Sequence, residues 1–88
     1  MRYVEKSRAV LGSNIALHGL LPNNEVPKKL RGKIPKNEVW VRKDKFDTLK
    51  KRVDLRTHEE SEIQLMKKGV PYKMAHSAAN KFERNRFH

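Results

Sequence analysis

Gly69, Val70 and Pro71 divide the last third of the 88-residue chain into two segments that each carry helical patterning, and this junction constrains the fold most. Upstream, residues 54–68 crowd their acids toward the start and place Lys67 and Lys68 at the end, the order the helix dipole favours. Gly69 then stands at the usual stop position. Asp54 or Thr57 is the expected cap, and Thr57 with Glu60 has the spacing of a capping box. Downstream, Pro71 sits where proline is best tolerated, in the first turn of a helix running to about residue 85. Helices joined by so short a link lie antiparallel, so residues 54–85 are expected to form an αα-hairpin.

The faces of that hairpin carry the candidate chemistry. On its first helix Leu55, His58, Glu59, Glu62, Leu65 and Met66 fall within a single arc of about 120°, at about 100° per residue. Leu and Met mark the arc as the buried side, so His58 and two carboxylates point where a core helix is ordinarily apolar. On the second helix Tyr72, Ala75, His76, Ala79, Phe82 and Glu83 share a face in the same way. Packing the two brings His58 and Glu62 to His76, with Glu59 or Glu83 close by. Buried ionisable groups need a partner or a metal, because an unpaired one costs several kcal/mol. His58 and Glu62, four residues apart, can present two ligands to one ion, and His76 would add a third. Two histidines and a carboxylate with open positions suit one divalent zinc, manganese or iron ion. Glu59, beside the first ligand, is then the expected general base. Three dispositions stay open here. The cluster is a metal site, a buried network bonded within itself or to Arg56, Arg84 or Arg86, or an exposed face.

The stretch from His58 to Glu62, His-Glu-Glu-Ser-Glu, resembles the HExxH helix of zincin metallopeptidases, with Glu62 standing in place of the second histidine. Glutamate coordinates zinc with a different charge and geometry. The longer pattern, HExxE followed by LMxxGxxYxxAHxxAxxxE, spans His58 to Glu83. It resembles the C-terminal part of small uncharacterised proteins of archaea, phages and mobile elements. The resemblance covers about a third of the chain and implies no established activity.

The remainder is less regular. Residues 5–21 read as a short helix or an irregular packed segment, with Val10, Leu11, Ile15, Leu17, Leu20 and Leu21 apolar and Gly12 interrupting. Residues 22–37 hold three of the four prolines and Gly32, so they are expected to be a basic loop. Residues 38–43 read as a strand with Val39 and Val41 on one side and Trp40 on the other, paired with residues 2–4 or with a second copy. Asp44 is the expected cap of a short helix over 44–53, with Phe46, Leu49 and Val53 on one face. The fold expected is a single small α+β domain over 1–88. It is mostly helical, with a C-terminal αα-hairpin and one short β-strand or two-stranded ribbon.

Charge points to the partner. The chain carries 21 Lys and Arg against 10 Asp and Glu, a net +11. Residues 27–56 alone hold twelve basic and four acidic groups. A concentration of this kind is the footprint of a polyanion-binding surface, because cations held in ion-pair networks need no two-to-one excess over acids. Lys28, Lys29, Arg31, Lys33, Lys36, Arg42, Lys43, Lys45, Lys50, Lys51 and Arg52 are the candidate phosphate contacts of a small protein that binds nucleic acid without reading its sequence. The competing readings are a metal-dependent hydrolase, peptidase or nuclease, built on the His/Glu cluster, and an interaction protein of a virus particle or other assembly. Self-association fits each of them. With no cysteine, disulfides and thiolate metal sites are excluded. No apolar run approaches the roughly 20 residues of a membrane span, and the apolar run behind the basic N-terminus is broken at Gly12, Ser13, Asn14 and His18, unlike a signal peptide. A cytoplasmic protein with no membrane partner is the expectation. His18 and His88 are assigned no role. Trp40 and Tyr72 are expected in the core more than stacked on bases.

Overall fold

The computed structural model describes residues 1–86, with side chains through Lys81. Strand β3 (Glu38–Arg42) lies at the centre of a three-stranded sheet, between β1 (Arg2–Lys6) and β2 (Ala16–His18). β1 runs parallel to β3, with Tyr3 opposite Val39 and Val4 opposite Trp40. β2 runs antiparallel, with Ala16 opposite Val41, Leu17 opposite Trp40 and His18 opposite Val39. A parallel pair needs a crossover. Here it consists of the one-turn helix α1 (Arg8–Leu11), β2 and a loop containing two 3-10 turns, Asn23–Glu25 and Lys28–Leu30.

The pleat sorts side chains onto two faces. Val39 and Val41, both fully buried, join Phe46 and Ile63 in a core that packs Tyr3, Ala16, Leu20 and Leu55 around it. On the opposite face Leu11, Leu17, Val26 and Leu30 close over Trp40, Val10, Leu21 and Ile34. The expected alternation along β3 and its pairing with residues 2–4 are thus present. The sheet gains a third strand, however, because Ala16–His18 pairs with β3 where a helix or irregular segment was expected. Pairing with a central strand overrides the weak local preference of three residues.

Helix α2 (Leu49–Lys67) is continuous over 19 residues, replacing the short helix and separate hairpin helix expected on either side of residue 54. No glycine or proline falls within it, so nothing interrupts the hydrogen-bond ladder. Its cap is Thr48, whose Oγ1 accepts from the Lys51 N–H at 3.2 Å. Thr57 is instead interior, its hydroxyl donating to the Val53 carbonyl at 2.8 Å, and Asp54 is also mid-helix. Asp44 caps no helix; it lies in a 3-10 turn over Lys43–Lys45. The stop is a Schellman ending. Val70 N–H bonds to the Leu65 carbonyl, Gly69 N–H bonds to the Met66 carbonyl, and Gly69 adopts φ 95°.

Helix α3 (Tyr72–Arg86) follows directly, and the Pro71 carbonyl accepts from Ala75 N–H at 2.9 Å. Ala75 and Ala79 are fully buried, and these small residues let the two helices approach closely. The fold is therefore α+β and mostly helical, with the C-terminal helical hairpin laid on the Val39 face of the sheet through Ile63. Among the described residues no helix is long and apolar enough to cross a membrane.

Candidate functional site

Three elements converge on Glu62. It is buried in the middle of α2, and its carboxylate meets three imidazoles. His18 Nε2 lies 2.7 Å from Oε1, His76 Nδ1 lies 2.8 Å from Oε2, and His58 Nε2 lies 3.3 Å from Oε2. His58 comes from the preceding turn of the same helix and His76 from α3, and their rings meet edge to face at 4.9 Å. His18 comes from β2. Residues directly opposite in an antiparallel pair share a face, so pairing with Val39 turns His18 toward α2.

The electrostatics follow from burial and these bonds. Burial alone would raise the Glu62 carboxyl, but bonds from His18, His58 and His76 outweigh it and hold the group at about 2. Glu59, one turn earlier on α2, is shifted the other way. Burial, and then the charge of Glu62, push its carboxyl up to about 7, with the three imidazoles opposing in part. Its Oε2 is buried with no hydrogen-bond partner among the described residues. Such a group costs stability unless something else uses it.

These groups line a cleft of about 420 Å³ whose wall also includes residues 13–15 ahead of β2, Ala16 and Leu17 within it, Leu21, Glu25, Leu55, Tyr72 and Asn80. The Tyr72 ring stacks on His76 at 5.4 Å, and burial followed by the carboxylates of Glu62, Glu25 and Glu59 pushes its phenol up to about 12. None of the described lining residues is Lys or Arg, in a chain where nearly a quarter of residues are. The cleft is an anionic, imidazole-rich pocket in a cationic protein.

The predicted ligands His58, Glu62 and His76 come together as expected. One atom from each lies within 4.8 Å of the others, a spacing from which a metal ion can be held. Two ligands about 2.1 Å from a tetrahedral ion stand about 3.4 Å apart, close to the 3.3 Å between His58 and Glu62. The His76 contact would open by roughly half an ångström to match. Glu83, the alternative neighbour, lies outside the described side chains, as do Phe82, Arg84, Arg86 and His88. Arg56 is directed elsewhere, over the rings of Tyr3 and Phe46. His18 was given no role by sequence reasoning. The one available signal was a three-residue alternation, Ala16-Leu17-His18, too short to set a period.

The basic candidates divide. Arg42 is buried, not on the surface as expected. Its guanidinium is committed to both carboxylate oxygens of Asp44, at 2.7 and 3.1 Å, and to the Gly12 carbonyl at 2.9 Å. Arg31 clamps the carbonyls of Asn23 and Val26, and Lys29 bonds to the Ala9 carbonyl. Lys51 bonds to Asp47 and the Asp44 carbonyl, while Arg52 donates to the Phe46 carbonyl. Lys50 is exposed. Lys28, Lys33, Lys36, Lys43 and Lys45 are exposed as well, and their ammonium groups make no bond among the described residues. Comparison with protein-family models, with curated proteins and with solved structures gave no match.

Proposed function

We propose that this protein is a metal-dependent hydrolase in which His58, Glu62 and His76 hold one divalent ion, zinc, manganese or iron, and Glu59 is the general base. The observation that carries the reading is Glu59 itself. A carboxylate with one oxygen buried and unpartnered among the described residues, at the wall of a cleft and beside a candidate three-residue ligand set, is a costly arrangement for a purely structural network. The absence of Lys and Arg from the described lining also supports a cation as the natural occupant. An ion held there would supply Lewis acidity at a carbonyl or phosphoryl oxygen. The protein's own part is to orient the ligands and, through Glu59, to accept the proton of the attacking water.

The test is elemental analysis and metal titration of protein made without a His-tag. One equivalent of metal is expected, and His58→Ala should abolish it. No stoichiometric binding by the wild type, or unchanged binding by His58→Ala, would overturn the reading and leave the cluster as a hydrogen-bonded network.

A second reading, binding of nucleic acid or another polyanion, is favoured by the exposed ammonium groups of Lys28, Lys33, Lys36, Lys43 and Lys45, which make no bond among the described residues. If these five engage phosphates, affinity falls with salt at a log–log slope of roughly −4 to −5. Affinity unchanged between low and moderate salt would eliminate it. An assembly role would be read from light scattering instead.

A further inference from the structure

We infer that His18 is the positioning residue that presents Glu62 to the metal, and that the cleft therefore takes one ion, not two. The inference rests on the metal-site reading above and names a residue of that site which is not itself a ligand. Two overlapping sets of groups satisfy the spacing of a metal site: His58, Glu62 and His76, and His18, Glu59 and Glu62. Distance alone does not separate them, but hydrogen bonding does.

The backbone N–H of Leu20 donates to His18 Nδ1 at 3.2 Å. That nitrogen therefore presents its lone pair, and the ring proton sits on Nε2. Nε2–H then donates to Glu62 Oε1 at 2.7 Å and has no lone pair to offer an ion. A ligating imidazole ordinarily uses its other nitrogen as a donor to a carboxylate or carbonyl. His18 has a donor on that side instead. The geometry is that of the group behind a ligand: Oε1 of Glu62 is occupied by His18, which leaves Oε2 between His58 and His76.

The surroundings of His18 keep it there. Its ring is 1% exposed, and Gly19 packs directly on the neighbouring loop. A Cβ at Gly19 would collide with the Pro35 carbonyl oxygen and come within 2.6 Å of the Lys36 Cα. Between the pairing of His18 with Val39 and the bond from Leu20, the ring is fixed from both sides. The sheet thus supplies the orienting bond, and the hairpin supplies the ligands.

The experiment is zinc titration against a competing chromophoric chelator, using untagged protein stripped of metal, with wild type, His18→Leu, His18→Gln and His58→Ala compared. Wild type should bind one equivalent. His18→Leu, which removes the donor, should keep that stoichiometry with affinity lowered roughly 10–100-fold. His18→Gln, whose side-chain amide replaces the Nε2–H donor, should recover most of the loss, which a merely structural role would not predict. Wild-type affinity in His18→Leu would overturn the inference. So would complete loss in both His18 variants, which would make His18 a ligand, or two equivalents in the wild type. Should His18→Leu not fold, retention of affinity by His18→Gln supports the inference and its loss overturns it. Failure of the parent reading looks different, because the wild type itself would then bind no zinc or His58→Ala would bind as well.

Discussion

Glu59→Gln removes a buried charge while nearly preserving the shape of the side chain. In the folded protein burial, and then the neighbouring Glu62, lift the Glu59 carboxyl from its ordinary 4.5 to about 7. Folded Glu59 therefore holds its proton more tightly than unfolded Glu59 does. Its contribution is a penalty that is absent below about pH 4.5, grows as pH rises and is complete above about pH 7. Converting that shift to free energy gives roughly 3 kcal/mol at the upper end. Glutamine has no charge to bury, so the variant should gain on the wild type as pH rises, at most by about 1.4 kcal/mol per pH unit. The amide leaves a buried donor without a partner, which costs about 1–3 kcal/mol. That cost moves the whole curve and leaves its slope unchanged. Urea unfolding of metal-free wild type and variant between pH 5 and 8 reads the difference directly. A difference that stays constant across this range would refute the argument that Glu59 is a charge held against its environment.

Three further outcomes are expected. Gly19→Ala should lower stability by about 1–3 kcal/mol in thermal or chemical unfolding, since its Cβ meets the Pro35–Lys36 backbone and that backbone has little freedom to retreat. Arg42→Met should destabilise the fold by roughly 1–3 kcal/mol through loss of the Asp44 and Gly12 bonds, and leave the salt slope of any nucleic-acid binding unaltered. A slope reduced by one in that variant would return Arg42 to the phosphate contacts. Thr48→Ala should cost about 1 kcal/mol by uncapping α2, whereas Thr57→Ala should cost less, because Thr57 caps nothing.

The difference between what could be read from residues and what needed coordinates lies in the range of the interactions. His58, Glu59, Glu62 and His76 were legible because helical periodicity is a local property, and the Gly69-Val70-Pro71 junction fixed how the two periodic faces meet. Even there Ile63 escaped notice, since α2 packs against the sheet on one flank and α3 on the other, and so buries more than one arc. The caps failed for a local reason. Asp54 and Thr57 are good caps in isolation, but Thr48 begins the helix earlier and nothing between breaks it. Arg42 failed for a non-local one. It ends the central strand, where the Gly12 carbonyl and the Asp44 carboxylate are brought to it from two directions.

His18 shows the limit most directly. Its contact with Glu62 spans 44 residues of sequence and exists through the register of a three-residue strand. Side chains alternate faces along a strand, so a slip of β2 by one residue would aim Leu17 at Glu62 and turn His18 toward the cluster around Trp40. Burial of Leu17 against that cluster opposes the slip, as does the close backbone approach at Gly19. The residues that hold this register therefore matter to the proposed metal site as much as its candidate ligands do, although neither the Leu17 nor the Gly19 side chain has a group that could bind an ion.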